Sequence, residues 1–292
     1  MPQRCAAMTI PAIFFTTAEW LLAALVFTIA GLYAAVGHGG SSGYQAAMAL
    51  LGTETALMKP IALSLNILVS GIASWRFLRA GYFSWRVFLP FALSSVPMAF
   101  VGGQLDLPPQ YFKALLGAVL LYSAYRLVVP VKTRNAKVLD NPSTNTIAHL
   151  PAVPQPPHWL SALAIGAALG LLSGLVGVGG GIFLSPLLVF MNWAELRQIS
   201  GISAVFILVN STAGLAAKPA SLALLPPALA LYALAAVAGA WLGAGYGKQR
   251  LTNINIRRVL AAAVLIAGAK MVQEGLLPWY LQSSTLLSTL FN

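Results

Sequence analysis

Gly37, His38, Gly39, Gly40, Ser41 and Ser42 fall together in the middle of an otherwise apolar run, and Gly177, Gly179, Gly180 and Gly181 form a second cluster about 140 residues further on. A glycine turn that starts a new helix aims unpaired backbone N–H groups and the positive end of the helix dipole at the space before it, which suits an oxyanion. The donors so placed are the amides around Gly39 to Ser42 and Gly179 to Ile182, joined by the Ser41 and Ser42 hydroxyls. Glycines also let helices cross closely; two adjoining clusters at matched places point to a substrate site rather than to packing alone. His38 is the single histidine inside an apolar segment, since His149 and His158 fall in a polar stretch. An imidazole of ordinary pKa, about 6.5, either binds an anion when protonated and releases it when neutral, or, as a neutral ring, satisfies a carbonyl of the break. Asn66 and Asn210 occupy matched places in two further apolar runs, where each amide either lines a cavity or ties helices together.

The elements that must hold these residues are membrane helices. With 59% hydrophobic residues, 8% charged residues and a mean hydropathy of +0.81, the 292-residue chain is not a soluble globular domain, in which roughly a quarter of residues carry charge. The net charge of +11 comes from lysines and arginines in short stretches between apolar runs, the pattern of basic loops kept on the cytoplasmic side and not of a nucleic-acid-binding face. One cysteine, Cys5, excludes an internal disulfide and a thiolate metal cluster. Glu19, Glu54, Asp106, Asp140, Glu195 and Glu274 all lie near span ends or in loops, leaving no carboxylate at membrane depth for a metal cation or a proton relay. No metal and no cofactor is expected. The first apolar run lacks a small-residue cleavage site and is read as a retained element.

Apolar runs long enough to enter or cross the bilayer fall near Ala18 to Leu51, Leu57 to Phe77, Arg86 to Leu105, Tyr111 to Val129, Trp159 to Phe190, Ser200 to Ala217, Leu224 to Tyr246 and Ile256 to Val272. The first and fifth are the glycine-broken ones. Residues 1–17 form an N-terminal segment, 18–129 a first membrane repeat, 130–158 a polar, proline-rich linker, 159–272 a second repeat and 273–292 an interfacial tail bearing Trp279. Trp20, Trp75, Trp85 and Trp159 read as interfacial anchors, and Lys59 as a snorkelling residue at a helix start. The halves superimpose in order: Gly37 to Gly40 over Gly177 to Gly180, Asn66 over Asn210, Met98 to Gly102 over Gly239 to Gly243, and Lys113 with Arg126 over Arg257 with Lys270. An ordered set with a nearly constant offset indicates an internal duplication.

Charge placement then selects a topology. If all eight elements crossed, the basic residues would divide ten to seven; if each broken element enters and returns to the same face, they divide twelve to five, with both termini outside. Each half then crosses three times, an odd number, so the halves insert in opposite directions. The expected fold is an all-α polytopic membrane protein of two inverted repeats, each of about four helical elements. Hairpin arms of unequal length are required, because Tyr44 to Leu51 makes only about two helical turns.

The two breaks, above all Gly174-Leu175-Val176-Gly177-Val178-Gly179-Gly180-Gly181 followed by Pro186, in a duplicated chain with a polar central linker, resemble the TauE/SafE family of sulfite exporters and related anion permeases. That resemblance, from about Trp20 to Val272, implies a secondary transporter of the bacterial inner membrane. It implies export of sulfite, an organosulfonate or another sulfur-containing anion, with a small anion and the lipid bilayer as partners. The first break departs from the pattern: it has His38, Ser41, Ser42 and Tyr44, and no proline matching Pro186. Alternating access is the expected mechanism, one half rocking against the other, with protons coupled through His38. Gly40-Ser41-Ser42-Gly43 also resembles the Gly-x-Ser-Gly of rhomboid intramembrane proteases, which would make Ser42 and His38 a dyad; the two lie in one break, a poor arrangement for it. An anion channel is the third reading, separable by net uphill transport. The expectation is a carrier, not an enzyme.

Overall fold

The computed structural model describes residues 15–35, 37–128, 157–246, 261–262 and 264–277; among these the chain is helical and holds no strand. Helices are the economical answer to lipid, since each satisfies its own backbone polar groups. In chain order they are α1 (Thr17–Ala34), α2 (Ser41–Leu50), α3 (Thr55–Arg79), α4 (Trp85–Gln104), α5 (Pro109–Val128), α6 (Trp159–Val176), α7 (Gly181–Phe190), α8 (Leu196–Ala216) and α9 (Leu229–Tyr246). A final helix, α10, covers residues 264–277. Five of them, α1, α3, α4, α6 and α8, are long and apolar enough to cross a membrane.

The broken elements are hairpins with unequal arms. α2 and α7 have ten residues each and rise only about 15 Å at 1.5 Å per residue. α2 folds back along its long arm, with Gly43 against Ile29 of α1, whereas α7 packs on α8 through Gly181 against Ile207 and Ser185 against Ser203, with the turn residue Gly180 facing Leu169 and Ser173 of α6. The turn is possible because Gly40 and Gly180, which precede the two short helices, are left-handed at φ 92° and 75°, a conformation open to glycine and costly for other residues.

Helix ends follow local chemistry. Thr16 and Glu19 close a capping box at the start of α1, with the Glu19 amide 3.3 Å from Thr16 Oγ1 and the Thr16 amide 2.7 Å from Glu19 Oε2. α8 begins at Leu196, earlier than the expected Ser200, because the Glu195 amide donates to Gln198 Oε1 at 3.4 Å in a second capping box. α9 starts at Leu229 and not at Leu224; Pro219–Leu224 is a 3₁₀ turn, and Pro226 and Pro227 hold the chain out of a helix before Leu229. α10 continues to residue 277, through part of the expected interfacial tail, and Glu274 within it pairs with Lys113 at 2.7 Å. Residues 278–292, the bulk of the expected linker and the N-terminal residues 1–14 lie outside the described residues.

Contacts across the bundle fix the directions. Leu63, Gly71 and Phe77 of α3 meet Gly214, Leu208 and Gly201 of α8, so these two central helices are antiparallel. Gly166, Gly170 and Gly174 of α6 sit on the backbone of Phe91, Ser95 and Ala99 of α4, and Gly239 and Gly243 of α9 on that of Phe27 and Gly31 of α1. Both ladders join parallel helices at backbone distance, the small-residue packing of membrane bundles. One end of the bundle carries Lys59, Lys113, Lys218 and Lys270; the other carries Arg76, Arg79, Arg86, Arg126 and Arg197. Trp20, Trp75, Trp85 and Trp159 are exposed near helix ends, as interfacial anchors should be.

Candidate functional site

The first amides of a helix have no acceptor within it, and here the two short helices bring theirs to one place. Asn66, from the middle of α3 and with 0% of its surface exposed, stands between the breaks. Its Oδ1 accepts the Ser41 amide at 3.2 Å, and its Nδ2 donates to Val178 O at 3.3 Å and to Ser211 Oγ of α8 at 3.0 Å. A Cβ on Gly39 would strike Asn66 Oδ1, and one on Gly179 would lie 2.5 Å from its Nδ2. One carboxamide thus reads both glycine clusters. Among the described residues, the backbone N–H groups of Ser42, Gly181 and Ile182 find no acceptor.

Further bonds pin the breaks together. Ser41 Oγ donates to Gly177 O at 2.5 Å, and Gln45, one turn later on α2, donates from Nε2 to Val176 O at 2.8 Å and Gly177 O at 3.3 Å. These carbonyls end α6, so the long arm of one hairpin is capped by the short arm of the other. Tyr44 OH donates to Gly39 O at 2.8 Å, while Ser42 Oγ lies 3.2 Å from Tyr33 OH and accepts from Ser123 Oγ of α5 at 3.0 Å. The expected hydroxyl donors Ser41 and Ser42 are therefore both engaged within the protein, and both are buried. Gln45, Ser123 and Ser211 were not singled out from the sequence; Gln45 is four residues after Ser41, a spacing that stacks both on one helix face.

His38 and Ser42 do not form a dyad. His38 Nε2 lies 3.1 Å from Ser185 Oγ on α7, which in turn lies 2.7 Å from Ser203 Oγ on α8. Asn210 departs from its counterpart Asn66: its Nδ2 donates to Phe206 O of its own helix at 2.8 Å, and its buried Oδ1 has no partner among the described residues. Gly37 packs on the Ser200 carbonyl, Gly177 against Lys59 and Gln45, Gly180 on Phe206 and Gly181 on Ile207. The residues nominated from the sequence thus surround the Asn66 hub, with His38 on one side of it and Asn210 turned away.

A cavity opens at each end of the bundle. At the lysine end, about 450 Å³ is lined by Lys59, Asp106, Phe112, Leu175 and Lys218; Lys218 pairs with Asp106. Lys59 is more than a snorkelling residue: its Nζ donates to Gly103 O at 3.2 Å and its stem abuts Gly177. At the arginine end, about 680 Å³ is lined by Arg76, Arg79, Tyr82, Arg197 and Ser200.

Interrupted helices in an apolar bundle, with their free ends meeting at its centre and a cavity toward either end, define a membrane transporter. Comparison with known proteins agrees. The chain belongs to the TauE/SafE family: the profile described as "Sulfite exporter TauE/SafE" matches residues 22–271. It is similar to a protein of Sinorhizobium fredii described as "Probable membrane transporter protein y4hK", with 38% identity over 251 residues that cover 86% of this chain and 97% of the relative. No solved structure matches the chain. Family and relative are transporters, which removes the protease reading.

Proposed function

We propose that this protein carries a small sulfur oxyanion, such as sulfite or an organosulfonate, outward across the bacterial inner membrane by alternating access. The observation that carries the reading is the convergence of two helix N-termini on Asn66, with the Ser42, Gly181 and Ile182 amides still to be satisfied. An anion bound there receives those amides and the dipoles of α2 and α7. Gly37, His38, Gly39, Gly40, Ser41, Ser42, Asn66, Gly177, Gly179, Gly180, Gly181 and Asn210 form or flank this site. The buried breaks between two end cavities correspond to an occluded conformation.

Inverted repeats are supported by the antiparallel central helices α3 and α8, and by matched left-handed glycines at 37 and 177 and at 40 and 180. The arginine end is then cytoplasmic and both termini lie outside. The glycine ladders join α1 to α9 and α4 to α6, so the bodies that rock are mixed from both halves and are not the halves themselves. Protons couple through His38 and the Ser185–Ser203 hydroxyls: the imidazolium favours the anion and the neutral ring releases it.

Thermal stabilisation of the detergent-purified protein by sulfite, thiosulfate and methanesulfonate, measured from pH 5 to 8, tests this. Saturable stabilisation by one of them is expected, strongest at low pH, with the pH dependence lost in His38→Gln. A flat response to all of them would remove the sulfur-oxyanion reading.

A further inference from the structure

Among the described residues, the three arginines around the 680 Å³ cavity have no carboxylate partners. Arg76 lies over the Trp241 ring at 4.7 Å, Arg79 over Trp75 at 4.5 Å, and Arg197 over Tyr82 at 5.2 Å, with Arg197 Nη1 donating to Tyr82 OH at 2.6 Å. Trp75 and Trp241 stack on each other at 6.1 Å, so the cluster is laterally braced. The ion pairs among the described residues all use lysine, and Glu195, the acidic residue next to this end, closes the capping box of α8. Aromatic faces hold a guanidinium in place while leaving most of its five N–H donors along the edge. Three such groups facing one cavity, with no counter-charge among the described residues, repel each other, and the group that relieves this is an oxyanion, which accepts the fork of N–H donors directly.

The cavity's position gives that anion a destination. Ser200 lines it, and the Ser200 carbonyl is what Gly37, the first glycine of the His38 break, packs against. At the opposite end Lys218 is neutralised by Asp106 and Lys59 is turned onto Gly102 and Gly103 carbonyls. The two mouths are thus unequal: one concentrates anions strongly and the other weakly.

We propose that the Arg76–Arg79–Arg197 cavity is a second anion site, an antechamber that captures small oxyanions at the arginine end and delivers them to the break. It rests on the transport reading above. An anionic phospholipid headgroup offers the same phosphate-like chemistry, so the test separates the two sources.

Sulfite is titrated calorimetrically into the full-length protein as wild type, Gly39→Ala and Arg79→Gln/Arg197→Gln, with Arg197→Lys as a charge-keeping control. Gly39→Ala is expected to keep a weak, salt-sensitive class of sites, which the arginine double variant loses and Arg197→Lys retains. In proteoliposomes the double variant is expected to raise KM about tenfold from the arginine face alone, with kcat unchanged, because capture precedes the step at the break. An unchanged KM, or a weak class that survives the double variant, overturns the proposal. So does phosphatidylglycerol that co-purifies with wild type, is absent from the double variant by mass spectrometry, and leaves the sulfite titration unaltered; the cavity is then a lipid site. Weak sites without break sites would sink the transport reading and leave the antechamber standing.

Discussion

Asn66→Leu is expected to lose at least about a hundredfold in transport and to lower the melting temperature, while the protein still inserts. The substitution keeps the branched shape of the side chain, at a somewhat larger volume, and removes all three of its bonds, to the Ser41 amide, Val178 O and Ser211 Oγ. Each group stranded in a buried setting costs about 1–3 kcal/mol, although polar bonds between membrane helices average nearer 0.6 kcal/mol because the unfolded state also finds partners. Even the lower figure, summed over three groups, gives about 2 kcal/mol, or more than tenfold in population of the correctly joined breaks. The remaining loss comes from geometry, since the two helix N-termini lose the group that sets their separation. Counterflow of labelled sulfite in proteoliposomes, beside a melting curve, checks it; transport at the wild-type rate would mean that Asn66 is only a strut.

Gly39→Ala is expected to silence transport almost as completely by adding a single carbon. The new methyl would enter the space of Asn66 Oδ1 and lie 3.0 Å from Ile207 Cγ2. Asn66 cannot yield without giving up the bonds just described, and overpacking of this kind costs about 1–3 kcal/mol on its own. Gly81→Ala is the matched comparison: its φ is 74°, so alanine is strained there, but nothing stands within 4 Å of its Cβ. That variant should show a small loss of stability and normal transport. If the two behave alike in flux, crowding at the breaks is not what matters.

Much of this was written in the chain. The glycine clusters marked the two breaks, and the offset near 140 residues paired Asn66 with Asn210. What could not be read was pairwise geometry. Nothing in the local pattern of Gln45 says that it caps α6, more than 130 residues away, or that Ser185 meets His38. The matched asparagines differ in their partners: Asn66 Nδ2 donates to Ser211 Oγ on α8, whereas Asn210 Nδ2 turns back to the Phe206 carbonyl of its own helix. The three arginines were counted as topology markers, and only the fold shows them sharing a cavity with Trp75 and Trp241 at its edge.

The two glycine ladders bear on the divisibility of the molecule. α6 fits its bare glycine edge onto α4, and α9 does the same onto α1. The part that holds α1 and α4 would, on its own, leave two rows of backbone uncovered, and the part that holds α6 and α9 would have two glycine edges with nothing to lie on. Such a fragment acquires its native shape only by meeting a second one, so its stability depends on how much of the other is in the same bilayer.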